Sequence, residues 1–407
     1  MNPGAAFSLF CGFVILVSCN RKPEDHPLFE LMDRTGIDFI NKVEDGKVDN
    51  SFYFRNFYNG GGVATGDINN DGFADIFLTS NTADNKLYLN NGKTSGGKAS
   101  WTFTDITSKT GMKQDSMWST GVVMADLNAD GWLDIYVCNS GHMSTGNRRN
   151  KLYINNRDLT FTEASKQYGL DISAYTTQVS FFDYDLDGDL DCFMINNSPI
   201  PINTLGYSNK RDLHDKDWKV PEFLKGGGDH LYRNDNGKFV EVTTEAGIHG
   251  TLMSFGLGAS IGDINDDGLP DIFVANDSYE RDYLYINKGN GKFRDEYEEC
   301  MGHASFSSMG ADIADINNDA LPEIFTTDML PGDDYRLKTL GAFDNIDLYR
   351  TKEKNGLYHQ FMKNCLQLNL GNGRFSDIAN FSGVSATDWS WGALIFDADN
   401  DGLNDIY

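Results

Sequence analysis

The apolar positions of this chain come in short runs cut by polar, glycine-rich turns, and the runs recur in a fixed order. The first run, strand A, is built of small residues, as in Gly62-Val-Ala-Thr-Gly66 and Gly256-Leu-Gly-Ala-Ser-Ile-Gly262. An acidic loop follows, then strand B, which opens Asp-Ile-Phe or Asp-Ile-Tyr and stays apolar. Strand C carries Leu-Tyr-x-Asn at Leu87 to Asn90, Leu152 to Asn155, Leu231 to Asn234 and Leu284 to Asn287, and becomes Leu366-Gln-Leu-Asn369 in the fifth unit. Asn-Gly pairs at Asn91-Gly92, Asn236-Gly237, Asn290-Gly291 and Asn372-Gly373 predict two-residue hairpin turns, whose central positions want a positive φ. Strand D begins at a phenylalanine with a glycine eight residues on: Phe103 to Gly111, Phe161 to Gly169, Phe239 to Gly247 and Phe375 to Gly383. Four short antiparallel strands per unit, repeated round an axis, predict an all-β fold, a β-propeller of four-stranded blades. The small residues of strand A suit the crowded centre of such a ring.

The acidic loop between strands A and B is written six times. It runs Asp67-Ile-Asn69-Asn-Asp71-Gly72-Phe73-Ala-Asp75, then Asp126-Leu-Asn128-Ala-Asp130-Gly131-Trp132-Leu-Asp134, then Asp183-Tyr-Asp185-Leu-Asp187-Gly188-Asp189-Leu-Asp191. It returns as Asp263-Ile-Asn265-Asp-Asp267-Gly268-Leu269-Pro-Asp271, as Asp315-Ile-Asn317-Asn-Asp319-Ala320-Leu321-Pro-Glu323, and as Asp397-Ala-Asp399-Asn-Asp401-Gly402-Leu403-Asn-Asp405. Side-chain oxygens at positions one, three, five and nine, with glycine at six for the sharp turn, are what a hard cation wrapped by a short loop requires. The spacing begins like an EF-hand but closes at nine, and a strand follows where an EF-hand has a helix. The first aspartates stand 59, 57, 80, 52 and 82 residues apart, a period of repeat architectures. Phe29 to Ile37 reads as a lone strand D, lent by the N-terminus to close the ring. The chain stops at Tyr407, just inside strand B of a sixth blade, and a half-blade exposes unpaired strand edges. The expectation is therefore a chain cut short.

Charge strengthens the cation reading. Lys and Arg number 34 against 60 Asp and Glu, a formal net charge of −26, and positions one, three, five and nine of the six loops supply 20 of those acids. Carboxylates crowded within a few ångströms repel unless a cation answers them. The same balance argues against nucleic acid, which demands basic surfaces. At the N-terminus, residues 4–17 form an apolar run too short to span a bilayer. Leu16-Val17-Ser18-Cys19 resembles a lipobox, so residues 1–19 are read as a signal peptide with Cys19 acylated, and residues 20–28 as a tether. Met1-Asn2-Pro3 departs from that pattern in offering no Lys or Arg. The localisation expected is an outer-membrane or cell-surface lipoprotein, with a secreted protein as the alternative. Cys138, Cys192, Cys300 and Cys365 show no disulfide framework and are read as buried thiols.

The repeated Gly-Asp-x-Asn-x-Asp-Gly-x-x-Asp after a Phe-Gly strand, clearest at Phe255-Gly256, resembles the FG-GAP or VCBS repeats of integrin α-like propellers. The wider run, with Asp328-Met-Leu-Pro331 and Asp388-Trp-Ser-Trp391, is similar to bacterial VCBS-repeat lipoproteins related to the cartilage acidic protein (ASPIC/UnbV) family. The resemblance implies a seven-bladed ring with Ca²⁺ in each A–B loop, position seven (Phe73, Trp132, Asp189, Leu269, Leu321, Leu403) adding its carbonyl. The fifth loop departs, with Ala320 for glycine and Glu323 for aspartate, and its occupancy is the one in question.

In an antiparallel blade the A–B and C–D turns share one side and the B–C and D–A loops the other. The long B–C segments, residues 139–151, 196–229 and 329–363, hold 14 of the 34 basic residues but 10 of the 60 acids. Arg148, Arg149, Tyr207, Trp218, Tyr335, Tyr349 and Tyr358 lie among them and form the candidate face for a protein or glycan ligand. Catalytic signals are weak. Gly258-Ala-Ser260-Ile-Gly262 fits G-x-S-x-G but sits in strand A, not on a strand-to-helix elbow. The seven histidines show no zinc spacing. The reading is a non-catalytic, calcium-binding recognition module, with a calcium-dependent polysaccharide lyase or glycoside hydrolase as the alternative.

Overall fold

Strand B governs how the sheets pack. In Asp134–Asn139, Asp191–Asn196 and Asp271–Asn276 every residue is buried, because a neighbouring blade covers each face. Ile135 and Val137 join Phe77 and Leu87 of the first blade, while Tyr136 and Cys138 join Val179, Cys192 and Met194 of the third. Hence these strands read as continuous apolar runs without the alternation of a half-exposed sheet. The computed structural model describes residues 28–47, 50–52, 55–93, 96–97, 100–112, 117–141, 147–199, 213–277, 280–340 and 346–407. The chain divides into Met1–Asp33 and Arg34–Tyr407, and the propeller is the second unit. The expected signal peptide, Cys19 and the tether up to Pro27 lie outside the described residues. No helix among the described residues is long and apolar enough to cross a membrane.

Five antiparallel sheets follow the predicted order A-B-C-D. They comprise Val63–Gly66, Asp75–Leu78, Lys86–Asn90 and Phe103–Asp105; Ser119–Ala125, Asp134–Asn139, Lys151–Asn155 and Phe161–Glu163; and Thr176–Phe182, Asp191–Asn196, His230–Asn234 and Phe239–Glu241. The fourth has Gly256–Gly262, Asp271–Asn276, Tyr283–Asn287 and Phe293–Asp295, and the fifth Ala311–Ala314, Glu323–Thr326, Cys365–Asn369 and Phe375–Asp377. Ile395–Phe396 and Asp405–Ile406 pair as strands A and B of a sixth. This is a β-propeller.

The A strands surround a central cavity of ≈ 390 Å³, to which Gly61, Gly121, Gln178, Leu257, Met309 and Gly392 contribute one from each blade. Small residues are needed there because backbones nearly touch. A Cβ on Gly121 would lie 2.5 Å from the Thr177 carbonyl oxygen, and one on Gly310 2.7 Å from that of Trp391. The Ser260 hydroxyl donates to the Ala311 carbonyl of the next inner strand at 2.7 Å, so it staples two blades and stands on no nucleophile elbow. Cys138, Cys192, Cys300 and Cys365 are buried free thiols.

Strand D differs from its expectation. It is three residues long and runs into one helical turn, Ser165–Tyr168, Thr243–Ala246 or Ala379–Ser382, which Gly169, Gly247 and Gly383 close at φ 81°, 85° and 77°. The acid ending the strand caps that turn: Ser165 N–H donates to Glu163 Oε1 at 3.0 Å and Ala379 N–H to Asp377 Oδ1 at 2.9 Å. The hairpins also vary. Asn236-Gly237 makes the expected two-residue turn, with Asp235 N–H donating to Lys238 O. Gly289 and Gly371 lengthen the turns of the fourth and fifth blades, and in the first blade the connection runs from Asn90 to Phe103.

The predicted closing strand Phe29 to Ile37 contains no regular strand. Its end nonetheless takes the place, beside the first blade, of the turn that follows a strand D. Phe103 N–H donates to the Thr35 carbonyl at 2.7 Å, as Phe161 N–H does to that of Thr110 at 2.8 Å. The following segment runs along the first blade, where Asp38 accepts from the Tyr88 hydroxyl and Asn41 donates to Asn81. It ends in the helical turn Arg55–Tyr58, where Phe57 packs with Trp118 and Tyr175 and Arg55 lies over the Phe255 ring and pairs with Asp277 at 2.9 Å.

Candidate metal loops and the opposite face

All six acidic loops share one backbone. Position four takes a positive φ (Asn70 57°, Ala129 54°, Leu186 58°, Asp266 59°, Asn318 59°, Asn400 60°), and so does position six, including Ala320 at 69°. Two left-handed residues, one on each side of position five, turn the chain back on itself, which is why glycine serves at six. Position one then accepts two backbone N–H groups: Asp71 and Gly72 donate to Asp67, and Asp319 and Ala320 to Asp315. Position five accepts from position seven, as Phe73 N–H does on Asp71, Trp132 on Asp130, Asp189 on Asp187, Leu269 on Asp267, Leu321 on Asp319 and Leu403 on Asp401. The fifth loop keeps this pattern despite its substitutions.

Position nine does more than close a loop. Asp75 accepts from Ile68 N–H at 3.0 Å and from Asn90 N–H at 2.7 Å, and Asp134, Asp191, Asp271 and Glu323 repeat both bonds. In the sixth loop Asp405 accepts from Ala398. The carboxylate therefore ties the loop to strand C, and its partner there is the asparagine of Leu-Tyr-x-Asn. That asparagine's side chain reaches on to the preceding blade, Asn155 to the Ile68 carbonyl at 2.9 Å, Asn287 to that of Tyr184 at 2.8 Å and Asn369 to that of Ile264 at 3.0 Å.

These carboxylates lie in a setting that wants positive charge. Burial, helped by the neighbouring loop carboxylates, pushes Asp75 and Asp134 up to about 6 and Asp191 and Asp271 up to about 7. In the third loop Asp183, Asp185 and Asp191 each bring an oxygen within 4.8 Å of the others, as do Asp397, Asp399 and Asp405 in the sixth. Asp185 Oδ1 and Asp189 Oδ1 are buried without a hydrogen-bond partner. An all-oxygen donor set with spare lone pairs fits a hard dication. In the second loop Arg157, from the C–D turn, pairs with Asp130 at 3.0 Å, which puts that turn on the metal-loop side.

The candidate ligand-face residues divide. Tyr207 lies outside the described residues. Arg148 is buried, with its guanidinium 4.0 Å from the centre of the Tyr175 ring, and Arg149 pairs with Asp171 at 2.9 Å. Trp218 Nε1–H donates to the Leu213 carbonyl, the Tyr349 hydroxyl meets His359 Nδ1 at 2.8 Å, and the Tyr358 hydroxyl donates to the Met301 carbonyl. Tyr335, 75% exposed, is the one of these that projects freely. The long fifth-blade connection holds two helices, Asp334–Leu340 and Ile346–Lys354, which strand patterning does not anticipate.

Sequence reasoning also misses a cluster on this side. His214, from the long third-blade connection, meets His230 of strand C, with Asp215 and Glu241 against them. The two carboxylates pull His214 up to about 9, and the imidazoles hold Glu241 well below the usual carboxylate range. The histidines stand sixteen residues apart and are joined only by the fold.

Residues 67–137, 142–194 and 263–326 match the FG-GAP-like repeat family, so the chain carries FG-GAP-like repeats in three regions. It is 34% identical over 143 residues to cartilage acidic protein 1 of Xenopus tropicalis, covering 35% of this chain and 20% of that protein. The chain thus spans about a fifth of the length of this curated relative. Among solved structures, an Agrocybe aegerita lectin that recognises non-reducing terminal N-acetylglucosamine aligns over 84% of this chain and 72% of its own, at 15% identity and a TM-score of 0.44. The V. cholerae biofilm matrix protein Bap1 aligns over 76% and 37%, at 13% identity and a TM-score of 0.35.

Proposed function

We propose that this propeller is a calcium-binding recognition module, non-catalytic, that engages a protein or glycan through the loops opposite its acidic face. The observation that carries the reading is the sixfold recurrence of one loop backbone with oxygens at positions one, three, five and nine. Bound in these loops, Ca²⁺ supplies charge neutralisation and rigidity. The chain's own residues supply the rest: position nine holds strand C, and Asn155, Asn287 and Asn369 of strand C tie their blades to the one before. In the same reading Cys19 carries the lipid that anchors the protein at an outer membrane or cell surface. Tyr335, exposed beside the basic Arg336 and Lys338, is the residue placed to meet a ligand. The test is binding of the full chain to protein and glycan arrays with and without calcium. Calcium-dependent capture without turnover supports the reading, whereas product release from an acidic polysaccharide replaces it with the enzymatic one.

A further inference from the structure

In the other four complete blades the acid that ends strand D caps the next turn, as Asp105, Glu163, Asp295 and Asp377 do for Thr107, Ser165, Tyr297 and Ala379. Where that acid also meets a cation, a permanent one is always present, though His249 and His303 lie beside it on Asp295 and Asp377. Lys86 faces Asp105, Arg281 faces Asp295 and Lys363 faces Asp377. Glu241 breaks the rule. Its Oε1 turns to His214 Nε2 at 3.1 Å and His230 Nδ1 at 3.2 Å, so its partners are two imidazoles, groups that become ligands on losing a proton.

These two contacts to Glu241 have the spacing of donor atoms on one metal. Donor atoms on tetrahedral zinc stand about 3.4 Å apart, since each bond is about 2.0–2.1 Å. His214, Asp215 and His230 also each offer an atom within 4.8 Å of the others, and all three are buried. His214 Nδ1 faces Asp215 Oδ1 at 2.7 Å and the Lys216 N–H at 3.3 Å, so its own loop occupies Nδ1 and Nε2 is the nitrogen turned to Glu241 and available to ligate. A carboxylate behind a metal-bound imidazole is the usual orienting partner. With both rings neutral the two carboxylates leave a charge of −2, which one dication cancels. The group lines a cavity of ≈ 380 Å³ whose wall also carries Lys216 and Lys225, so one side of the shell is open to water or an anion.

We propose that His214, His230 and Glu241, oriented by Asp215, form a binding site for a zinc-class transition-metal ion, separate from the acidic loops. The similar group His303, Cys365 and Asp377 is excluded because the Lys363 ammonium already sits on Asp377. The test uses the full chain, stripped with chelator and returned to millimolar calcium so that the oxygen loops are filled with the hard ion they favour. Zn²⁺ is then titrated calorimetrically into wild type, His230→Gln and Glu241→Gln, with melting temperatures recorded alongside. One saturable site that weakens at least tenfold in both variants is the expected result. Equal zinc isotherms in all three proteins, or none saturable in wild type, overturn the proposal. Should a variant fail to fold, Co²⁺ added to wild type decides: intense visible bands of four- or five-coordinate cobalt support the site, and the weak spectrum of the hydrated ion refutes it.

Discussion

The two sides of the ring are made differently. The acidic side solves one problem six times with the same backbone, the same position-nine carboxylate and, in the complete blades, the same strand C asparagine. On the other side the turns after strand D recur but the B–C connections differ from blade to blade: the third holds a histidine cluster, the fifth a pair of helices. Repetition belongs where blades must be joined identically, and variation where one ligand must be told from another. In the proposed reading the first side supplies rigidity and the second recognition.

The strongest way to break this contrast is to remove calcium. If several loops are filled, each contributes about 2.7 kcal/mol at a hundredfold excess over its Kd, and chelation should lower the melting temperature by roughly 10 °C or more. An unchanged calorimetric transition in EGTA would remove the metal from the account. Next in size, Asp134→Ala leaves the Leu127 and Asn155 N–H groups buried and unpaired, at a cost of about 3 kcal/mol in urea unfolding. A loss under 1 kcal/mol would mean that position nine does not hold the blade.

On the opposite side, burial pushes Asp282 up to about 7 and Asp328 up to about 6. A carboxyl whose folded pKa lies above its unfolded value takes up its proton on folding, so stability should rise as pH falls from 8 to 6, by on the order of 1 kcal/mol. Glu241, Asp295 and Asp377 are held low, and their contribution is lost only in more acid solution as pH falls below the ordinary carboxylate range. Melting curves in saturating calcium should show the rise in wild type and a smaller one in Asp282→Asn; parallel slopes would contradict this. Ala320→Gly relieves a left-handed alanine and should stabilise by about 0.5–1 kcal/mol, read as a higher melting temperature. Smallest in stability is Tyr335→Ala, expected within about 0.5 kcal/mol of wild type, yet it should weaken ligand capture on an array. A loss of stability without loss of capture would reverse the roles of the two sides.

What the sequence displays follows the same division. Leu-Tyr-x-Asn, the acidic loops and the Phe-to-Gly spacing place the five complete sheets, because each is dictated by contacts within a blade or between identical neighbours. The glycine closing the second, third and fifth D modules is visible, but the helical turn it closes is hidden, since four residues are too few to show a helical period. His214 and His230 are invisible as a pair because a long connection brings them together. Arg148 looks like a surface cation in sequence, and it is buried because the Tyr175 ring receives it. The inward bonds of Trp218, Tyr349 and Tyr358 likewise come from tertiary neighbours that no local pattern announces.

The segment from Arg34 to Tyr58 touches the first blade at its rim, through Thr35, and then crosses to the hub, where Phe57 and Arg55 meet residues flanking the second, third and fourth blades. It works as a guy-rope. Traction applied at Arg34 is shared between an outer edge and an inner anchorage, so those four blades cannot splay apart one at a time under load.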